Sequence, residues 1–352
     1  MKTFKINSCR LCKCKELVPV FEFGLQALST RFPAANEPDA EILPLNLVQC
    51  QNIKCNLVQL THDYDFNDLY RKGYGYRSGI NKTMRSHLNE IVQQLLSEIE
   101  LKDNDTVLDI ASNDGTLLKS YKNSNINLIG IDPTISQYKE YYPIDRTYLS
   151  SEFFSKEIFN SISPTKYAKL ISSIAVFYDV PDPKLFANDI ASILDENGVW
   201  VMEQSYLPLL IRDLSFDSIC HEHLGYYGLK QIKLATSLAN LRVFNVETNN
   251  MNGGSIRVFI SFVPPIHLPV AIKCCGSNPA SIFKAVLCCN FQPIGTSLFD
   301  HLPIILGVIS LKYLPQSVFS LVSEFVNVAI ANANVPLLGR FTHSISLPFC
   351  CF

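Results

Sequence analysis

No uninterrupted apolar stretch of about 20 residues occurs in the 352-residue chain, so the sequence predicts no membrane-spanning helix. The first residues, MKTFKINSCRLCKCKE, lack the apolar centre that a secretory signal needs. An excess of positive charge is also missing. Thirty Lys and Arg stand against 32 Asp and Glu, for a net charge of -2 and a pI near 6.4, which excludes a broad basic footprint for nucleic acid. The dinucleotide pattern G-x-G-x-x-G is absent, so a pyrophosphate cradle is not expected. These absences predict a cytoplasmic protein with neither nucleic acid nor a membrane span among its partners. They leave its oligomeric state open. Hydrophobic residues make up 47% of the chain, enough for the cores of two or three domains.

Charge is missing locally as well. Residues 262–352 hold only six charged residues, against 56 in residues 1–261. The same segment holds nine of the 19 prolines and six of the 12 cysteines, the latter in adjacent pairs such as Cys274-Cys275. Prolines at short, irregular intervals break helices and central strands. The composition predicts an atypical, poorly packed tail after about residue 261, of the kind that a shifted reading frame or a mispredicted exon would produce; a small, unusual apolar domain is the alternative.

What is abundant near the start is cysteine. Cys9-Arg-Leu-Cys12 and Cys50-Gln-Asn-Ile-Lys-Cys55 form two knuckles with short apolar runs between them. Four thiolates from two knuckles suit tetrahedral zinc. The segment between them is too short to bury much core, so the metal would supply folding energy. Four reduced structural thiols are the alternative. A closed four-cysteine site leaves no position for a substrate, so the predicted role is structural, in a small domain over residues 1–70.

Residues 71–261 read as an α/β unit. Residues 82–100 carry apolar positions at helical spacing. Thr106–Ile110 is a short strand containing Asp109, and Ala111-Ser112-Asn113-Asp114-Gly115 turns into a helical pattern, TLLKSYK. A second strand, Asn127–Ile131, ends at Asp132-Pro133. A turn that admits backbone to a ligand, followed by an acid that can accept ribose hydroxyls, is what a nucleoside site needs. Without a pyrophosphate cradle, the pattern points to S-adenosylmethionine. Taken singly, Asp132 could be a helix N-cap and Asn113-Asp114-Gly115 an ordinary tight turn. Further on, 170–177 reads as a buried strand, 183–197 as a helix stopped by Gly198, and 199–203 as a strand. Residues 229–240 read as a helix, and 242–247 with 255–261 as a hairpin. The expected architecture is a Rossmann-like, doubly wound sheet with an antiparallel edge.

Two further segments carry chemistry. His221-Glu222-His223 places a carboxylate between two histidines, and histidine is the usual base near neutral pH. The residues alone also allow a polar surface loop. A shared metal is disfavoured, because adjacent residues rarely converge on one ion. Lys72-Gly73-Tyr74-Gly75-Tyr76-Arg77-Ser78-Gly79 is either a flexible linker or a loop that closes over a sugar, with Arg77 meeting a phosphate.

The ordered set YGYRSG, SNDGTLL, GIDP, VPDP, EQSY, D-x3-HEHLGYY and NGGSIRVF, behind four cysteines, resembles the S-adenosylmethionine-dependent C-methyltransferases of nucleotide-linked keto-deoxysugars, the sugar C-3-methyltransferase type. The resemblance covers residues 9–261. It implies a zinc domain held by Cys9, Cys12, Cys50 and Cys55, a Rossmann-like domain, and a further α/β domain that residues 262–352 do not resemble. It implies that Asp109 and the loop of Ala111, Asn113, Asp114 and Gly115 face the methionine end, and that Asp132, followed by Pro133, binds the ribose. It implies that His223 removes the proton beside the sugar ketone, with Glu222, His221 and a tyrosine of the YGY loop, Tyr76, around the sugar. The alternatives are a hydroxyl or amine acceptor, or a truncated relative without activity. Three departures stand out: Asp179 where relatives carry histidine, Cys220 where a tyrosine often precedes HEH, and Ala111 in place of the more usual glycine.

Overall fold

The computed structural model describes residues 2–70 and 74–262. The expectations for the tail beyond residue 262, and for Lys72 and Gly73, lie outside the described residues. Two modules occupy the described part, and one strand is exchanged between them.

The first module contains β1 (Thr3–Lys5), β2 (Leu17–Ala27), β3 (Ile42–Cys50), β4 (Val58–Leu60) and β5 (His62–Tyr64), then α1 (Phe66–Tyr70). Strands β2, β3 and β4 form an antiparallel sheet, and β1 pairs with β5. Alternation along β3 buries Leu43, Leu45 and Leu47, which pack with Leu60 and Tyr64.

The second module runs α2 (Lys82–Glu98), β6 (Thr106–Ile110), β7 (Asn127–Ile131), α3 (Ile135–Tyr138), β8 (Thr147–Ser150), α4 (Lys156–Ile162), β9 (Ala168–Ile174), α5 (Pro183–Ile193) and β10 (Leu194–Ser205). It continues with α6 (Leu207–Asp213), β11 (Gly225–Tyr226), α7 (Leu229–Ser237), β12 (Arg242–Asn249) and β13 (Ser255–Ser261). Seven strands make one sheet in the order β12-β13-β10-β9-β6-β7-β8. The five from β8 to β10 are parallel, and β13 and β12 close the edge antiparallel. Strands β6 and β7 are buried at every residue, as expected of parallel strands covered on both faces. On one face Val107, Leu128 and Val201 meet Leu88, Ile91 and Leu95 of α2. On the other, Leu108, Trp200 and Met202 meet Phe186, Ile190 and Ile232 of α5 and α7.

Helix α2 starts at Asn81, whose side chain accepts from the Thr83 amide at 2.8 Å. Two expected helices are shorter than their patterns suggested. The TLLKSYK segment forms only a 3-10 turn, Leu118–Ser120, because Leu117, Leu118 and Tyr121 all go into the core before Asn123 caps the next turn. The helix expected over 183–197 ends at Ile193. Leu194 turns extended to pair with Ala168, and Asp195 accepts from the Asn197 amide.

The small β11 pairs with β4, so the sheet order of the first module is β11-β4-β3-β2. The segment just after the HEH run is therefore a strand of the cysteine module. Among the described residues, no helix is long and apolar enough to cross a membrane.

Candidate active site

The four sulfurs of Cys9, Cys12, Cys50 and Cys55 lie within 4.8 Å of one another. Each knuckle is wound by its own backbone. The Lys13 amide donates to Cys9 O and the Cys55 amide to Asn52 O, with Lys13 and Asn56 left-handed at φ 61° and 54°. The Cys9–Cys55 and Cys12–Cys50 sulfur distances are 3.8 and 3.4 Å. A tetrahedron with bonds of about 2.3 Å has edges of about 3.8 Å, so the donor set fits zinc. Arg10, buried and paired with Asp63, donates to Leu60 O and His62 O and fixes the first knuckle on β4 and β5.

A cavity of about 750 Å³ opens at the carboxyl ends of β6, β7, β9 and β10. That is the point where the chain leaves β6 toward one sheet edge and β9 toward the other, the usual ligand position in an open α/β sheet. Its volume accommodates a nucleoside together with a second small molecule.

One side of the cavity is built from the turns after β6 and β7. Ala111, Asn113 and Gly115 take left-handed backbone at φ 59°, 50° and 73°, which curls the turn tightly. A side chain at Gly115 would strike the Tyr142 ring, so this position requires glycine. Asp132 Oδ2 accepts from the Asn113 amide at 2.9 Å, and Oδ1 accepts from the amide and hydroxyl of Thr134. Three of its roughly four acceptor positions are thus filled, and the Thr134 hydroxyl can rotate to free another, so a ribose diol fits. Burial raises the Asp132 pKa against these hydrogen bonds. Burial likewise pushes the Asp109 carboxyl up to about 7, opposed by its 2.6 Å bond from the Ser172 hydroxyl.

Asp109, Ala111, Asn113, Asp132 and Pro133 line the cavity; Asp114 and Gly115 lie behind it. Asp114 anchors the loop before α2, accepting from the Gly79 amide at 3.1 Å and pairing with Arg77 at 2.9 Å. Arg77 also stacks on the Tyr141 ring at 3.6 Å and is not among the residues that line the cavity. Asn113 holds the same loop twice, accepting from the Ser78 amide and donating to Tyr76 O. Tyr76 itself is half exposed at the rim. Tyr74 is the ring that goes inward, against Tyr70 at 5.3 Å and close to Glu222.

The opposite side of the cavity carries His223, Glu222, Tyr178 and Asp179. His223 Nδ1 lies 2.7 Å from the Ser218 carbonyl, and its ring packs on Tyr178 at 4.1 Å. A carbonyl only accepts, so Nδ1 carries the proton and the neutral ring keeps its lone pair on Nε2. Burial raises the pKa of Glu222, with the His223 charge and Tyr74 opposing. Burial raises that of Asp179 far more, with Glu222 adding and His223 opposing. Cys220 is pushed up to about 12, chiefly by burial, which makes it an inert thiol.

His221 does not reach the cavity, which corrects its placement beside the sugar. It is 1% exposed, set between the Ser29 hydroxyl and Leu43 O with its ring edge-on to Tyr64, and burial lowers its pKa. Sequence reasoning also missed a buried network. Glu203 pairs with His87 and with Arg257, and accepts from Asn249 at 2.9 Å. An acid ending a buried strand was the available signal, but its partners come from α2 and the terminal hairpin.

Residues 80–246 match the family described as "Methyltransferase domain", and residues 9–70 match "Putative zinc binding domain". The chain is 28% identical over 264 residues to the C-methyltransferase NovU of Streptomyces niveus, covering 72% of this chain and 60% of that protein. It therefore spans less than two thirds of the relative's length. Among solved structures, the N-methyltransferase NodS of Bradyrhizobium japonicum aligns with a TM-score of 0.37 at 13% identity, over 51% of this chain and 96% of that one. An S-adenosylmethionine-dependent methyltransferase of Clostridium acetobutylicum aligns with a TM-score of 0.37 at 10% identity, over 50% of this chain and 91% of that one.

Proposed function

We propose that this chain, whose residues 80–246 match a methyltransferase domain and residues 9–70 a putative zinc-binding domain, uses S-adenosylmethionine to methylate a carbon beside the ketone of a nucleotide-linked deoxysugar. The observation that carries the reading is the His223 ring, which lines the cavity with its Nδ1 proton committed to Ser218 and its Nε2 lone pair left as a base.

Asp132 and the Ala111–Asn113 turn would hold the nucleoside of S-adenosylmethionine, and Asp109 would lie toward its methionine end. When bound, that cofactor supplies an electrophilic methyl group on a sulfonium. The ketone acidifies the neighbouring C–H bond enough for an imidazole to compete for the proton. The proton passes to His223 Nε2, and the C–H electron pair becomes the enolate. Glu222 faces the imidazolium and stabilises its charge. The enolate carbon then forms the new C–C bond as the carbon–sulfur bond breaks. The zinc would hold the cysteine module and take no part in these steps.

The test is solvent exchange. In heavy water, a nucleoside-diphosphate 4-keto-6-deoxyhexose should take up deuterium beside the ketone when enzyme is present. His223→Ala should lower this and methyl transfer by about 10²–10⁴-fold, with S-adenosylmethionine affinity within a few fold. Methylation without any such exchange would favour a hydroxyl or amine acceptor. Equal activity in wild type and variant would remove His223 from the reaction.

A further inference from the structure

Gln204 is 1% exposed, yet neither its Nε2 nor its Oε1 has a hydrogen-bond partner among the described residues. Buried amides in folded proteins are almost always paired, so two unpaired ends on one side chain point to a ligand that pairs them. Gln204 also lines the cavity. It lies near the carboxyl end of β10, with its backbone fixed opposite Ile256 of β13. Strand alternation decides which part of the cavity it serves. Val199 and Val201 belong to the α2 face, and Glu203 turns there to meet His87. Trp200 and Met202 belong to the other face, which packs Phe177 against Tyr227, and Gln204 follows them. Tyr178 adjoins Phe177 in the chain and carries the His223 ring.

We propose that the Gln204 carboxamide recognises the acceptor, its NH2 donating to the ketone oxygen and its Oε1 accepting from a hydroxyl on an adjoining carbon. This rests on the function proposed above and deepens it. Proton removal by His223 puts negative charge on the ketone oxygen. The acid already paired with that base is Glu222, and a carboxylate against the oxygen would oppose the charge. A neutral amide donor held rigidly by a central strand stabilises the oxygen as charge develops there, at no cost in reorganisation. The second amide atom makes the site selective for a ketone flanked by a hydroxyl over one flanked by hydrogen, because the latter leaves Oε1 unpaired.

The experiment compares full-length wild type with Gln204→Met, Gln204→Glu and Gln204→Asn. The acceptor is the same nucleoside-diphosphate 4-keto-6-deoxyhexose, and S-adenosylmethionine affinity and thermal melting are measured on each sample. Gln204→Met should lower kcat/KM for the sugar about 10²–10³-fold. Its cofactor Kd should stay within threefold and its Tm should equal or exceed wild type, because an unpaired buried amide has been replaced by an apolar chain of similar size. Gln204→Glu should be at least as impaired, and Gln204→Asn should recover part of the loss. Deuterium uptake beside the ketone should fall in the same order. A Gln204→Met enzyme within threefold of wild type in kcat/KM would overturn the proposal. So would a parallel fall in Tm and cofactor affinity, which marks a structural role. If wild type itself exchanges no proton, it is the ketone-acceptor reading that fails, and this assignment with it.

Discussion

Asp179 shows what burying a carboxyl costs. Its Oδ1 is buried without a hydrogen-bond partner among the described residues, and Glu222 lies close enough to add to the burial that raises its pKa. A carboxyl whose folded pKa lies above its unfolded value, about 3.9, contributes stability below that value and loses it as pH rises through the folded pKa. Asp179→Asn should therefore melt higher than wild type at pH 8, with the gap closing by pH 4. A pH-independent difference in Tm would show that the carboxyl is not held protonated. Ala111 makes a second, smaller prediction. At φ 59° it pays the left-handed penalty that glycine avoids, about 1–2 kcal/mol, while glycine loses about 0.4–1 kcal/mol through a freer unfolded chain. Ala111→Gly should stabilise the protein by about 1 kcal/mol or less in chemical denaturation. A destabilised variant would mean that the Ala111 methyl packs usefully in the cavity wall.

At the scale of elements, the loop before α2 depends on one carboxylate. Asp114 accepts from the Gly79 amide, pairs with Arg77, and also holds the Thr116 amide and hydroxyl. Charge-assisted bonds of this kind contribute about 1.5–3 kcal/mol each, so their loss should release the loop that carries Tyr74 and Tyr76 over the cavity. Asp114→Ala should weaken S-adenosylmethionine binding by about tenfold or more in calorimetric titration, although Asp114 does not line the cavity. Unchanged affinity would mean that the Asn113 bonds to Ser78 and Tyr76 suffice. The same loop shows why its tyrosines could not be ranked from sequence. Tyr74 and Tyr76 stand on either side of a glycine, and only the anchoring at Asn113 and Asp114 decides which ring turns inward.

At the scale of the whole molecule, the cysteine module and the His223 side of the cavity are one structure. Strand β11 pairs with β4, the Leu60 amide donates to Leu224 O, and the Gln231 side chain donates to Cys55 O. The zinc knot therefore braces the chain immediately after His223, while the Asp132 turn rests on β6 and β7. Stripping zinc with a strong chelator under reducing conditions should lower Tm and abolish proton exchange at the sugar. It should weaken S-adenosylmethionine binding less than it weakens exchange. Equal loss of both would show that the two modules unfold together.

The sequence by itself determined the cysteine knuckles, the strand–turn–strand unit ending at Asp132, the buried parallel strands and the terminal hairpin. Each depends on residues close in the chain: thiol spacing, an apolar run bounded by turn residues, or a glycine pair. Helix ends were less legible, because Leu194 leaves its helix for a strand partner 26 positions away. Only the tertiary structure separated His221 from His223, since the first is taken up by Ser29 and Leu43 of the other module. Only the tertiary structure, too, revealed Gln204 as an unpaired amide, because a glutamine in a buried strand looks the same in sequence whether or not a partner waits for it. Local spacing fixes which groups are available; long-range packing fixes which of them are buried, which are paired, and which are left to meet a ligand.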